Sequence, residues 1–183
     1  GHSFGATRDK TAFLPSSASQ GVRPPEVILR RDFPEAWKIL LVIPEVSPGA
    51  SGGAERDLFL RYCPVPLEEV RELCHLAMVS LLPGLAEEDL DLFGSAINRM
   101  QELGFKRVEN QLQPPRIADL MEAMRDAGAA AAGLSSFGPT VYAIGEGRMH
   151  DVESAAREII PSLGGGRILL TRARNSGAVV TVA

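Results

Sequence analysis

Residues 129–145 read Ala129-Ala-Ala-Ala-Gly-Leu-Ser-Ser-Phe-Gly-Pro-Thr-Val-Tyr-Ala-Ile-Gly145, and the way this stretch divides decides the fold. Positions 129–134 are a run of small apolar residues, which suits a central strand over which a helix packs closely. Positions 141–145 are a second apolar run with a β-branched start and an aromatic residue, the natural partner strand. Between them, Ser135-Ser-Phe-Gly-Pro-Thr140 holds more small and hydroxyl-bearing side chains than a plain hairpin needs.

Downstream, Val152, Ala155, Ala156, Ile159 and Ile160 recur at helical spacing behind Asp151, a candidate cap, and Gly164-Gly-Gly166 then turns into a strand at 167–171. Upstream, 38–43 is a largely apolar run ended by Pro44, the pattern of a strand buried on both faces. Three helices are predicted between these strands. The first runs from Pro66 to Pro83-Gly84 through Leu67, Val70, Leu73, Ala77 and Leu81. The second runs from about Glu87 to Gly104 through Leu90, Phe93, Ile97 and Met100, and the third from Pro114-Pro115 to Gly128 through Ile117, Leu120, Met121 and Met124.

The order strand, helices, strand, strand, helix, strand is α+β and fits a ferredoxin-like (split βαβ) sandwich with extra helices in its first crossover. It predicts one mostly antiparallel sheet with helices on a single face. Residues 178–182, behind the Asn175-Ser-Gly177 turn, are a candidate edge strand. The first 36 residues, rich in Ser, Pro and Gly, are irregular or extended and make no core alone, which leaves 37–183 as the folded domain.

Composition sets the outer limits. With 183 residues, 45% apolar and 23% charged, the chain is neither disordered nor fibrous. Nineteen Lys and Arg against 23 Asp and Glu give a net charge of −4, without the cationic surplus that a nucleic-acid backbone demands. No apolar run approaches the roughly 20 residues that span a bilayer and nothing resembles a signal peptide, so a cytoplasmic location is expected, with neither nucleic acid nor membrane as partner. Cys63 and Cys74 form no CxxC pair and have no His at ligand spacing, so free, mostly buried thiols and no metal site are expected.

The leading candidate site is the loop with Gly133, Ser135, Ser136, Phe137, Gly138 and Thr140. Glycine admits close backbone approach, hydroxyls donate to phosphate or carboxylate oxygens, and Pro139 lowers the ordering cost of binding. An ordinary turn is the plainer alternative. Ser16, Ser17 and Ser19, with His2, Arg8 and Lys10 nearby, are further candidates for anion contacts, against a solvated segment. The loop from Pro48 to Gly53 precedes Glu55, which would repel an anion. His75 and His150 lack partner sets and read as surface or packing histidines, and Met100, Met121 and Met124 read as core. No general base stands out.

The glycine-rich loop followed by Val141-Tyr-Ala-Ile144 resembles the C-terminal motif of the GHMP kinase superfamily. Gly1-His-Ser-Phe4, Phe13-Leu-Pro-Ser-Ser-Ala-Ser19, Tyr62-Cys-Pro-Val-Pro-Leu-Glu-Glu-Val-Arg-Glu-Leu73 and Phe93-Gly-Ser-Ala-Ile-Asn98 are similar to the beta-ribofuranosylaminobenzene 5'-phosphate synthase family within it. The resemblance implies that residues 37–183 are the ferredoxin-like C-terminal domain and that 1–36 are a remnant of an N-terminal domain carrying a phosphate-binding glycine loop. That loop is missing here, so this chain alone is expected to lack residues that a complete enzyme needs.

The reaction so implied is a pentosyl transfer in tetrahydromethanopterin biosynthesis. Phosphoribosyl pyrophosphate and a para-substituted benzoate are joined with loss of pyrophosphate and CO2, and Mg²⁺ is the cofactor. Ser135, Ser136, Gly138 and Thr140 would serve the phosphates, and Phe137 would wall the aromatic ring. A GHMP-type small-molecule kinase and a non-catalytic binding or dimerising module stand as alternatives, and a homodimer is left open.

Overall fold

The computed structural model describes residues 27–47, 49, 53–147, 149–179 and 181. Strand β1 (Trp37–Pro44) alternates as a strand buried on two sides must: Leu40 and Val42 point into one core, Trp37 and Ile39 into another. After β1 come β2 (Ala131–Leu134), β3 (Val141–Glu146) and β4 (Gly166–Thr171). They form one sheet in the order β2-β3-β1-β4 with every pairing antiparallel. Crossovers after β1 and after β3 complete the ferredoxin-like split βαβ that the element order predicted. β2 starts at Ala131 and lies at the edge of the sheet, where the sequence suggested a central strand.

The first crossover is longer than the three helices expected. It holds α1 (Gly53–Tyr62), α2 (Leu67–His75), a π-helical stretch at Leu76–Leu81, α3 (Leu82–Glu87), α4 (Leu90–Met100), α5 (Gly104–Gln111) and α6 (Pro115–Asp126). The predicted stop at Pro83-Gly84 is overridden: Pro83 lies in the first turn of α3, directly after the π-helical stretch, where the Leu82 N–H donates to Ala77 O. The helix ends instead at Glu88, in the left-handed conformation. After β3, α7 (His150–Ile159) passes into a 3₁₀ turn at Ile160–Leu163. The residue that caps α7 is Met149, with no side-chain bond, and Asp151 sits in the first turn facing the positive end of the helix dipole.

Helices cover both faces of the sheet, where one was expected. On one face α6 and α7 place Ile117, Leu120, Met124, Val152 and Ala156 against Leu40, Val42, Val141 and Ala143. On the other, α4 with the end of the α2–α3 helix places Phe93, Ile97, Leu81 and Leu85 against Trp37, Ala131 and Ile144. Because both alternate sets of strand residues are apolar, each needs its own cover. Phe33, Trp37 and Phe93 close the second core with ring centroids 5.0–5.8 Å apart. Arg99 of α4 ties α2 to this layer by ion pairs to Glu72 and Glu102.

The tail beyond β4 forms no strand at residues 178, 179 and 181; 180 and 182 lie outside the described residues. Both cysteines are free as expected, but Cys74 is exposed and Cys63 half-buried. Among the described residues no helix is long and apolar enough to cross a membrane.

Candidate functional site

β2 and β3 meet at Leu134 and Val141, which lie opposite each other, and the six residues between must reverse the chain. Two backbone bonds set the turn: Ser135 N–H donates to Thr140 O and Gly138 N–H to Ser135 O, each at 2.9 Å. Ser136 and Gly138 both take positive φ, +50° and +70°. Glycine accepts this freely, whereas for a serine it is an uncommon and mildly strained state.

Inward-facing groups anchor the loop. Phe137 is buried, its ring edge-on to Phe105 of α5 at 5.7 Å and to Phe59 of α1 at 6.1 Å. That ring is committed to the core, so it fixes the loop and is not exposed as a wall for a ligand. Lys106 Nζ donates to Leu134 O at 3.1 Å and Ser136 O at 3.2 Å, and Gln113 Nε2 to Phe137 O at 2.8 Å. A side chain at Gly138 would meet Gln113 and Leu134 at 2.8 Å.

Outward-facing groups lack partners among the described residues. Ser135 and Ser136 are exposed and Thr140 half-buried, and among the described residues none of their hydroxyls makes a hydrogen bond. The N–H groups of Ser136 and Phe137 likewise donate to nothing described. A loop that turns carbonyls inward and leaves N–H and O–H donors outward suits an anion.

Gly133 belongs to a different contact. A side chain there would meet the Tyr142 hydroxyl at 2.6 Å and the Gln101 amide carbon at 2.7 Å, so this glycine makes room for protein groups. Gln101 Oε1 accepts from Leu134 N–H at 3.0 Å, and its Nε2 donates to the Tyr142 hydroxyl at 3.3 Å. Burial raises the Tyr142 phenol above tyrosine's ordinary value. Ser16, Ser17, Ser19, His2, Arg8 and Lys10 lie outside the described residues. So does most of the loop from Pro48 to Gly53, although Gly49 packs on Phe137 so closely that a side chain would strike its carbonyl.

An open cleft of about 550 Å³ lies beside the loop, lined by Glu45, Val46, Ser47, Gly49, Leu112, Gln113 and Pro114. The cleft adjoins the loop through Gln113 and Gly49, both of which contact Phe137. A second cleft of about 560 Å³ lies at the other end of β1, with Glu35, Arg172 and Arg174 among its lining residues. His75 and His150 are exposed, as expected. No group of three or more His, Cys, Asp or Glu among the described residues could hold a metal.

Sequence reasoning missed Gln101, Lys106 and Gln113. Gln101 was detectable as a polar residue one turn beyond Ile97 and Asn98 on an otherwise apolar helix face. Lys106, Glu109 and Gln113 share a helical spacing, a signal masked by the mostly polar composition of residues 105–113.

Residues 81–161 match the family model described as GHMP kinases C terminal. The fold is that of a GHMP kinase C-terminal domain. The beta-ribofuranosylphenol 5'-phosphate synthases of Methanothermobacter thermautotrophicus and Methanocaldococcus jannaschii are each 45% identical to it over 97% of its length. That of Archaeoglobus fulgidus is 43% identical over 100%. The chain spans about half the length of these relatives, 52%, 52% and 55%, and corresponds to their C-terminal half. A homoserine kinase structure from Cytophaga hutchinsonii aligns over 79% of this chain and 44% of its own at TM-score 0.64 and 18% identity, a likeness of fold.

Proposed function

We propose that the full-length protein to which this GHMP kinase C-terminal domain belongs is a synthase that joins phosphoribosyl pyrophosphate to a para-substituted benzoate in tetrahydromethanopterin biosynthesis, a pentosyl transfer. The relatives' name, beta-ribofuranosylphenol 5'-phosphate synthase, favours a hydroxyl as the para substituent. In that step the ring carbon bearing the carboxylate bonds to C1′ of the ribose. The C1′–O bond breaks with its electron pair leaving on pyrophosphate, and the C–CO2 bond then breaks, returning its pair to the ring.

The observation that carries this chain's share is the loop 135–140, where the hydroxyls of Ser135, Ser136 and Thr140 and the N–H groups of Ser136 and Phe137 have no hydrogen-bond partner among the described residues. Preorganised donors of this kind stabilise charge as it develops on a phosphate leaving group. Mg²⁺ is part of the proposal as an ion brought by the pyrophosphate. The described residues offer no acidic cluster for it, so this chain's part is anion recognition. The structural likeness to homoserine kinase is one of fold and does not favour the kinase alternative.

Incubation of the full-length protein with phosphoribosyl pyrophosphate and 4-hydroxybenzoate or 4-aminobenzoate should release pyrophosphate and CO2 in equal amounts. ATP-dependent phosphorylation of a small alcohol without CO2 would overturn the assignment, and so would no turnover with either set. Ser136→Gly gives a sharper test of the loop. It removes a hydroxyl while relieving the positive φ, so stability should hold or rise by up to about 1 kcal/mol. Affinity for phosphoribosyl pyrophosphate should fall roughly tenfold or more, the loss expected for a hydrogen bond to a charged group.

A further inference from the structure

Three carbonyl oxygens around the loop, those of Leu134, Ser136 and Phe137, are all met by side chains from one short length of chain, at positions 106 and 113. Positions 106, 109 and 113 recur at i, i+3 and i+7, one face of α5 and its continuation. Glu109 is 6% exposed, and its counter-charge is Lys106, which forms an ion pair with its Oε2. That oxygen has no hydrogen-bond partner among the described residues, so the ion pair is its compensation there.

Lys106 donates two of its three ammonium hydrogens to Leu134 O and Ser136 O, and its charge is paired with the Glu109 carboxylate. Its charge and most of its donors are thus committed to the protein, although it is a cation directly behind a loop that presents anion-binding groups. What it controls is direction. In a trans peptide the C=O and the following N–H point opposite ways, so holding Ser136 O toward α5 aims the Phe137 N–H away from it, to the side where no described residue receives it.

We infer that Lys106, held by Glu109, is a positioning residue that orients the Phe137 N–H toward a pyrophosphate or phosphate oxygen and does not touch the ligand itself. This rests on the loop being the anion site, as proposed above.

Glu109→Gln separates the two roles by sign. If Lys106 positions the loop, freeing it from Glu109 loosens Ser136 O, and affinity for inorganic pyrophosphate, measured by calorimetry on the full-length protein, falls roughly tenfold. Lys106→Met should cause the same loss, and the double variant should be no worse than either single. If Lys106 were a ligand, Glu109→Gln would release its charge and tighten pyrophosphate binding, which would overturn the inference.

A measurement on the unaltered protein covers variants that fail to fold. With ¹⁵N-phenylalanine and ¹⁵N-lysine labelling, the Phe137 amide should shift on adding pyrophosphate. A shift of the Lys106 ammonium with none at Phe137 would also overturn the inference. If wild-type protein bound no pyrophosphate at all, the site itself would fall, a result distinct from either.

Discussion

The two edges of the sheet solve the same problem in opposite ways. β2 offers its outer N–H and C=O groups to α4: Asn98 Oδ1 accepts from Ala132 N–H at 3.0 Å, Asn98 Nδ2 donates to Ala130 O at 2.9 Å, and Gln101 Oε1 accepts from Leu134 N–H. β4 has no such cover among the described residues, and Leu169 and Leu170 are 46% and 53% exposed. A sheet edge left open invites pairing with another strand, whereas one occupied by amide side chains cannot be extended. The closed edge leads into the loop 135–140, so the rigid end of the molecule is the one that carries the candidate site.

The largest expected break comes at the closed edge. A side chain at Gly94 would lie 2.4 Å from Ala130 O, so Gly94→Val must lift α4 from β2 and break the amide contacts with it. A loss of about 3 kcal/mol or more is expected, read as a fall in thermal midpoint of the intact protein. Gln101→Ala is milder, leaving the buried Leu134 N–H unpaired. It should cost about 1–3 kcal/mol and speed hydrogen exchange at that amide, while exchange in β4 stays unchanged.

At the open edge, Leu170→Ala should shift stability by only about 0.5 kcal/mol or less, since half the side chain already faces solvent. An equal loss at Leu170 and Gln101 would erase the contrast. The smallest effect concerns pH. Tyr142, beside Gln101, has its folded pKa raised by burial, so its contribution is complete below the unfolded tyrosine pKa near 10.0 and is lost as pH rises through the folded value. Tyr142→Phe should flatten the alkaline limb of the stability curve.

Sequence made the strands legible because each is a short apolar run bounded by Pro or Gly, and β1, β3 and β4 fall within a residue or two of expectation. The edge position of β2 was not legible for a specific reason. Ala131, Ala132, Gly133 and Leu134 are all buried, as in a central strand, but a helix and its amide side chains bury them on one side in place of a second strand. α5 was hidden because Gly104-Phe-Lys-Arg-Val-Glu-Asn-Gln111 is mostly polar, and its buried Glu109 looks in sequence like a solvated residue. Residues 135–140 form a loop where the sequence put one, but the burial of Phe137 was not legible. An aromatic in a polar loop reads the same whether it faces a ligand or, as here, the rings of Phe59 and Phe105.

The contact between α4 and β2 has a built-in length limit. From Asn98 to Gln101 a helix advances about 4.5 Å, whereas the strand it serves advances about 6.6 Å from Ala132 to Leu134, so the two fall out of step by roughly 2 Å. The second amide is a glutamine, whose one extra methylene makes up most of that gap. A third partner in the series would be out of step by twice as much, beyond the reach of any amide side chain. α4 ends at Met100, before that point, and the chain beyond Leu134 turns away into the loop. A helix can thus stand in for a strand over two rungs, and the place where this ladder runs out is where the loop begins.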